Sequence, residues 1–184
     1  LAVFKFPGRA FLVVTLNAMM GLPPVVVGLI VYLMLSRSGP FGTLGLLYSP
    51  TAMVIAQVCL ITPIIAALTR QSTEGLWHEY SEHLRSVGTG PWQTVKTLLW
   101  DSRFSLITTV LAGFGRASAE VGAVMIVGGN IDHVTRVMTT AIALETSKGN
   151  LELALGLGFV LLALALSVNA AAFLINETAK KRYG

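Results

Sequence analysis

Arg116 and Glu120 are the residues whose chemistry most needs explaining, because both fall inside a 24-residue apolar stretch, 104–127. A cation at membrane depth is expensive and marks a functional position by default. Glu120 follows four residues later, one helical turn on, where an ion pair forms readily. Two readings fit. The pair fixes helix packing, helped by Gly113, Gly115 and Gly122, which permit close helix approach. Alternatively, Arg116 contributes positive potential along an anion path. Glu120 argues against a free anion site, since it would neutralise Arg116 and repel an anion.

Other chemistry is poorly supplied. His78, His83, His133 and Cys59 have no metal-ligand spacing, and no metal site is expected. No Ser/His/Asp set is suggested, so no catalytic residue is assigned. The sequence contains no G-x-x-x-x-G-K-[ST] phosphate loop, so it has no nucleotide site of its own. No cofactor is implied.

The elements that must position Arg116 and Glu120 follow from composition. Hydrophobic residues make up 54% of the 184 and charged residues only 12%, about half the supply of an ordinary soluble domain. A multi-spanning membrane protein is the expectation, as one all-α domain over residues 1–184. Four stretches are long enough to cross a bilayer: 11–35, 44–68, 104–127 and 151–175. The first is interrupted by Pro23 and Pro24, which remove backbone donors and predict a kink. That kink fits either a packing helix or a broken helix lining a pathway. Gln57, Asn17 and Asn169 are isolated polar residues in spans, best explained by interhelical hydrogen bonds.

The net charge of +4 suggests nucleic acid at first sight, but its distribution does not. Four crossings put both ends and the 69–103 loop on one side, with Lys5, Arg9, Arg70, Arg85, Lys96, Arg103, Lys180, Lys181 and Arg182. The other side has Arg37, Arg136 and Lys148. Basic residues gather on the cytoplasmic side, so both observed ends and the loop are expected there. No nucleic-acid partner is expected.

Within the loop, Leu76, Tyr80, Leu84 and Val87 mark one helical face. Gly88, Thr89 and Gly90 then break it, and Pro91 suits the first turn of a second helix carrying Trp92, Val95, Leu98 and Leu99 on one face. Such a helix–turn–helix knuckle either packs beneath the membrane domain or docks a partner.

Glu82-His83-Leu84, then Gly88 after three residues, resembles the Glu-Ala-Ala-x-x-x-Gly coupling loop of ABC-importer permeases. His83 and Leu84 stand where that family has alanines, and Leu98-Leu99-Trp100-Asp101 replaces its Ile-x-Leu-Pro ending. The run from Gly113 to Ala123, then Gly128-Gly129-Asn130-Ile131, then Thr140 to Thr146, resembles the oxyanion permeases. Leu22-Pro23-Pro24-Val25-Val26-Val27-Gly28 fits their molybdate and tungstate branch. The resemblance covers nearly the whole chain. It implies an inner-membrane permease that works as a homodimer in lipid, with a cytoplasmic ATPase and a periplasmic or extracellular oxyanion-binding protein. Glu82, His83, Leu84 and Gly88 would then couple it to the ATPase. The resemblance also implies a further span upstream of Leu1, a start without Met or a signal-peptide layout. An ion-gradient-driven transporter or channel is the rival, and it would require titratable residues along the spans without a docking loop.

Overall fold

The computed structural model describes residues 1–4 and 6–183, excluding the side chains of Arg85, Ala179, Lys180, Arg182 and Tyr183. Lys5 and the side chains of Arg85, Lys180 and Arg182, counted in the charge asymmetry, therefore lie outside the described residues. Among the described residues the structure is helical, with no strand.

The apolar stretch 11–35 is not one helix. It divides into α1 (Arg9–Met20) and α2 (Pro24–Leu35), bent by 104°. The cause is local. Pro24 drives Pro23 out of the helical basin, to φ −63° and ψ 123°. Pro24 then occupies the first position of α2, where a missing N–H costs nothing.

The second expected span begins at 44, but its helix, α3, starts at Pro50 and runs without a break to Ser86. Gly45 and Tyr48 adopt positive φ and keep the preceding residues out of the helix. The Ser49 hydroxyl accepts the Ala52 amide at 3.3 Å, capping the start. Pro63 sits inside α3 without ending it. Nothing between Thr69 and Val87 stops propagation, so the Leu76–Leu84 face belongs to the end of α3 rather than to a separate helix. At 1.5 Å per residue α3 is roughly 55 Å long, against about 30 Å of bilayer hydrocarbon.

α4 (Pro91–Asp101) leads into α5 (Arg103–Ser118) and the short α6 (Gly122–Gly128). The last two are bent by 58° at 119–121, dividing the third expected span. α7 (Met138–Ser147) and α8 (Leu151–Tyr183) complete the chain. Among the described residues α3 and α8 are each long and apolar enough to cross a membrane alone, and each bent pair qualifies as a unit.

The core lies between α2, α3 and α6: Val27, Val31 and Leu35 pack against Ala52, Met53, Ala56 and Leu60, and against Ala123, Val124 and Val127. Small residues let these backbones approach closely. A Cβ added at Gly28 would lie 2.6 Å from the Ala123 Cα. α8, by contrast, presents Leu155, Phe159, Leu162, Leu166 and Phe173 outward.

Candidate functional site

The knuckle at the end of α3 is built by glycine. Gly88 adopts φ +72°, the left-handed conformation that ends helices. The Thr89 amide donates back to the Leu84 carbonyl at 3.2 Å, and its hydroxyl reaches the same oxygen at 2.7 Å. Gly90 begins α4, and its amide donates to Gln93 Oε1 at 3.3 Å. Leu98 (1% exposed) and Thr94 anchor α4 inward. Glu82 and His83 are exposed, Leu84 is half-buried, and the space around Gly88 is open.

The apolar face expected on α4 is present: Trp92, Val95, Leu98 and Leu99 line one pocket with residues 1–4 and with Ala66, Thr69 and Thr73 of α3. Its burial is uneven, since Leu98 is covered while Trp92 (72% exposed) and Leu99 stay accessible, as does Trp100 (69%) beside them. Val87 and Tyr80 are also exposed. The tip of the knuckle is thus an exposed, aromatic-rich surface, the composition that marks protein interfaces. Phe4 packs edge-on to Trp92, with ring centroids 6.0 Å apart.

Arg116 and Glu120 do pair: Arg116 Nη1 lies 3.0 Å from Glu120 Oε2. Their setting differs from a mid-span turn of continuous helix, because Arg116 is in the last turn of α5 and Glu120 lies in the break itself. The Glu120 side chain is 3% exposed and that of Arg116 36%. The other Glu120 carboxylate oxygen accepts the Ala123 amide at 3.1 Å, serving the start of α6. The Glu120 backbone carbonyl accepts the Thr139 hydroxyl of α7 at 3.0 Å. One residue therefore ties three helices. Gln57 of α3 donates to the Ala117 carbonyl at 3.3 Å, the interhelical bond expected of it. Asn169 instead donates to Ala165 within α8, at 2.8 Å. Gln57, Leu60, Ile61, Arg116, Ala117 and Glu120 line a crevice with no room for a water molecule.

Sequence reasoning missed a second charged cluster. Arg9 Nη2 of α1 meets Glu74 Oε1 of α3 at 2.7 Å, and Arg70 Nη1 contacts the other Glu74 oxygen. Arg70 and Glu74 are four apart and could have been paired by spacing. Arg9 is 65 residues away, so only the folded chain shows that contact. Two further ion pairs outside the spans are local, Arg136 with Asp132 at 2.8 Å and Lys148 with Glu145 at 2.7 Å. The Lys148 hydrogen bond holds the Glu145 carboxyl below its ordinary value. Among the described residues, no three His, Cys, Asp or Glu side chains are grouped to hold a metal.

Bent, tightly packed spans and an exposed knuckle are the features against which the family comparison is set. Residues 1–181 match the binding-protein-dependent transport system inner membrane component family. The chain belongs to that family. Over 90% of its length this permease is 39% identical to a probable anion ABC transporter permease protein of Haloferax volcanii, covering 73% of that protein. It is 41% identical to the tungstate uptake system permease protein TupB of Peptoclostridium acidaminophilum, across 88% of this chain and 71% of the relative. The Campylobacter jejuni protein of the same name is 38% identical, across 90% and 70%. The permease is accordingly a multi-pass, all-helical membrane subunit rather than an enzyme. ATP hydrolysis belongs to a separate ATPase, and a binding protein supplies the substrate.

Proposed function

We propose that this chain is the membrane subunit of an importer for tungstate or a chemically similar oxyanion such as molybdate. The substrate rests on the close similarity to two tungstate uptake permeases over about nine-tenths of the chain. The coupling role rests on one observation: the Glu82–Gly88 knuckle projects at the end of a helix much longer than a bilayer, with its aromatic tip uncovered.

Each bent pair counts as one crossing in this reading, which places the knuckle and both observed ends in the cytoplasm. Two copies enclose the path, since the helices of one chain surround little, and lipid covers the outward face of α8. A binding protein delivers the anion from outside. Closure of the ATPase subunits pulls on the knuckle, and α3, continuous from Pro50 to Ser86, carries that movement to the α2–α6 core. Glu82, His83, Leu84 and Gly88 form the coupling element. The Arg116–Glu120 pair and the Pro23–Pro24 break shape the path, with Glu120 keeping Arg116 neutralised.

The test is ATP-dependent tungstate uptake by proteoliposomes containing the permease, its ATPase and its binding protein. Gly88→Val forces a branched side chain into a left-handed backbone position and should cut uptake at least tenfold while ATP hydrolysis continues. Wild-type uptake by that variant would refute the coupling role. Uptake that needs no ATPase would refute the importer reading itself.

A further inference from the structure

Tyr48 holds a backbone conformation that its side chain does not favour. Its φ is +62°, an outlier for a bulky residue, and such strain gathers where function needs it. The surroundings enforce it. The Tyr48 amide donates to the Val127 carbonyl near the end of α6 at 3.0 Å. Its ring lies over Gly129, where an added Cβ would come within 2.8 Å of Cδ1. Tyr32 of α2 meets the same ring edge-on, with centroids 6.2 Å apart, and the exposed Tyr48 hydroxyl donates to that of Tyr32 at 3.5 Å, a long and therefore weak bond. Two phenols are thus fixed side by side, with their rings packed and their polar tips exposed.

The carbonyls at this end of α6 would repel an anion, but three of them are hydrogen-bonded. Tyr48 N–H takes that of Val127, Gly129 N–H that of Met125, and the Thr135 hydroxyl that of Gly128. The hydrogen bond to Tyr32 holds the Tyr48 phenol above its ordinary value, so it stays neutral. Along α6, seven residues and about 10 Å away, lies the Arg116–Glu120 pair.

We infer that the Tyr32 and Tyr48 hydroxyls form a neutral, two-donor contact for a tetrahedral oxyanion at the mouth of the path, ahead of Arg116, with Tyr48 exchanging its long bond to Tyr32 for one to the anion. This rests on the importer reading and on the topology that puts the Pro50 end of α3 outside. Neutral donors suit a conduit, because an anion held by hydrogen bonds alone is released again, whereas an unpaired cation would trap it. Phenylalanine keeps each ring and removes only the donor.

The experiment compares wild type, Tyr32→Phe, Tyr48→Phe and the double variant in the assembled transporter, with tungstate and then molybdate as probes. Each single change should slow uptake about fivefold, the worth of one hydrogen bond, and the double change at least tenfold, at unchanged melting temperature. Gly129→Ala, which displaces the Tyr48 ring and its hydroxyl without removing either phenol, should slow uptake like Tyr48→Phe. A double Phe variant that moves tungstate at the wild-type rate would overturn the inference and leave the importer reading intact. A wild type that moves neither anion would instead overturn the importer reading, on which this contact depends.

Discussion

Two apolar stretches of this permease are bent, and they are bent for different reasons. Between α1 and α2 the chain turns by 104° at Gly21, Leu22 and two prolines that cannot continue a helix. Between α5 and α6 it turns by 58° at Ala119, Glu120 and Val121, none of which breaks helices by itself. There the bend is held from outside by Gln57 on the Ala117 carbonyl and by Thr139 on the Glu120 carbonyl, while the Glu120 carboxylate caps the Ala123 amide locally. One bend is written in covalent geometry and the other in tertiary hydrogen bonds. The helices beyond the two bends, α2 and α6, then pack on each other at Gly28 and Ala123.

That contrast can be broken by mutation. Glu120→Ala should have the largest effect, since it leaves Arg116 without its partner and Ala123 without its acceptor at once. Removing one member of a buried pair costs about 3–5 kcal/mol, and the partial exposure of Arg116 puts this case near about 3 kcal/mol. Denaturant unfolding in detergent checks it, and a loss below about 1 kcal/mol would mean that the α5–α6 bend stands without Glu120. Gly28→Val comes next. Its side chain meets Ala123 backbone, which has little freedom to give way, so a loss of about 2 kcal/mol is expected from overpacking. Unchanged stability would show that α2 and α6 can part, and that the two bends are independent.

Replacing both Pro23 and Pro24 with Ala should cost less, about 1 kcal/mol, because the new residues fit the local backbone and act mainly through the unfolded chain. Its sharper readout is geometric. Spin labels on α1 and α2 should move apart as the helix extends through the turn. An unchanged distance would mean that packing against α6 sets this bend too. The smallest effect belongs to the α7–α8 corner, where Gly149 turns at φ +81° and Glu145 binds Lys148 and Asn150 on the surface. The Glu145 carboxyl is held below its ordinary value, so its contribution is complete above the usual glutamate pKa of about 4.3 and is lost as pH falls through the folded value. Amide protection at 148–151, taken relative to the intrinsic exchange rate at each pH, should fall over that range and stay constant from neutral pH down to about 5.

Much of the architecture was legible in the residues. Gly88 and Pro91 marked the knuckle because each has one strong backbone preference, and the paired prolines marked the first bend for the same reason. The start of α3 was misplaced by six residues, since Leu44 to Leu47 are as apolar as the helix they precede and only the positive φ of Gly45 and Tyr48 excludes them. The continuity of α3 through the knuckle's first helix was hidden by the change from apolar to polar residues after Leu68, a change of surroundings rather than of helix propensity. Periodicity grouped Trp92 with Leu98, and the two do line one pocket, but which of them is covered was not legible: Leu98 is buried against α3 and Trp92 stays exposed.

The sequence by itself determined that the chain crosses a membrane in helices, where prolines bend it, and which oppositely charged neighbours four residues apart can pair. These follow from composition and local covalent geometry, which need no distant partner. The tertiary structure alone decided that Glu120 serves three helices, that Arg9 closes on Glu74, and that Gly129 gives its space to Tyr48. Each depends on atoms brought together across long stretches of chain, and no local preference encodes such a meeting.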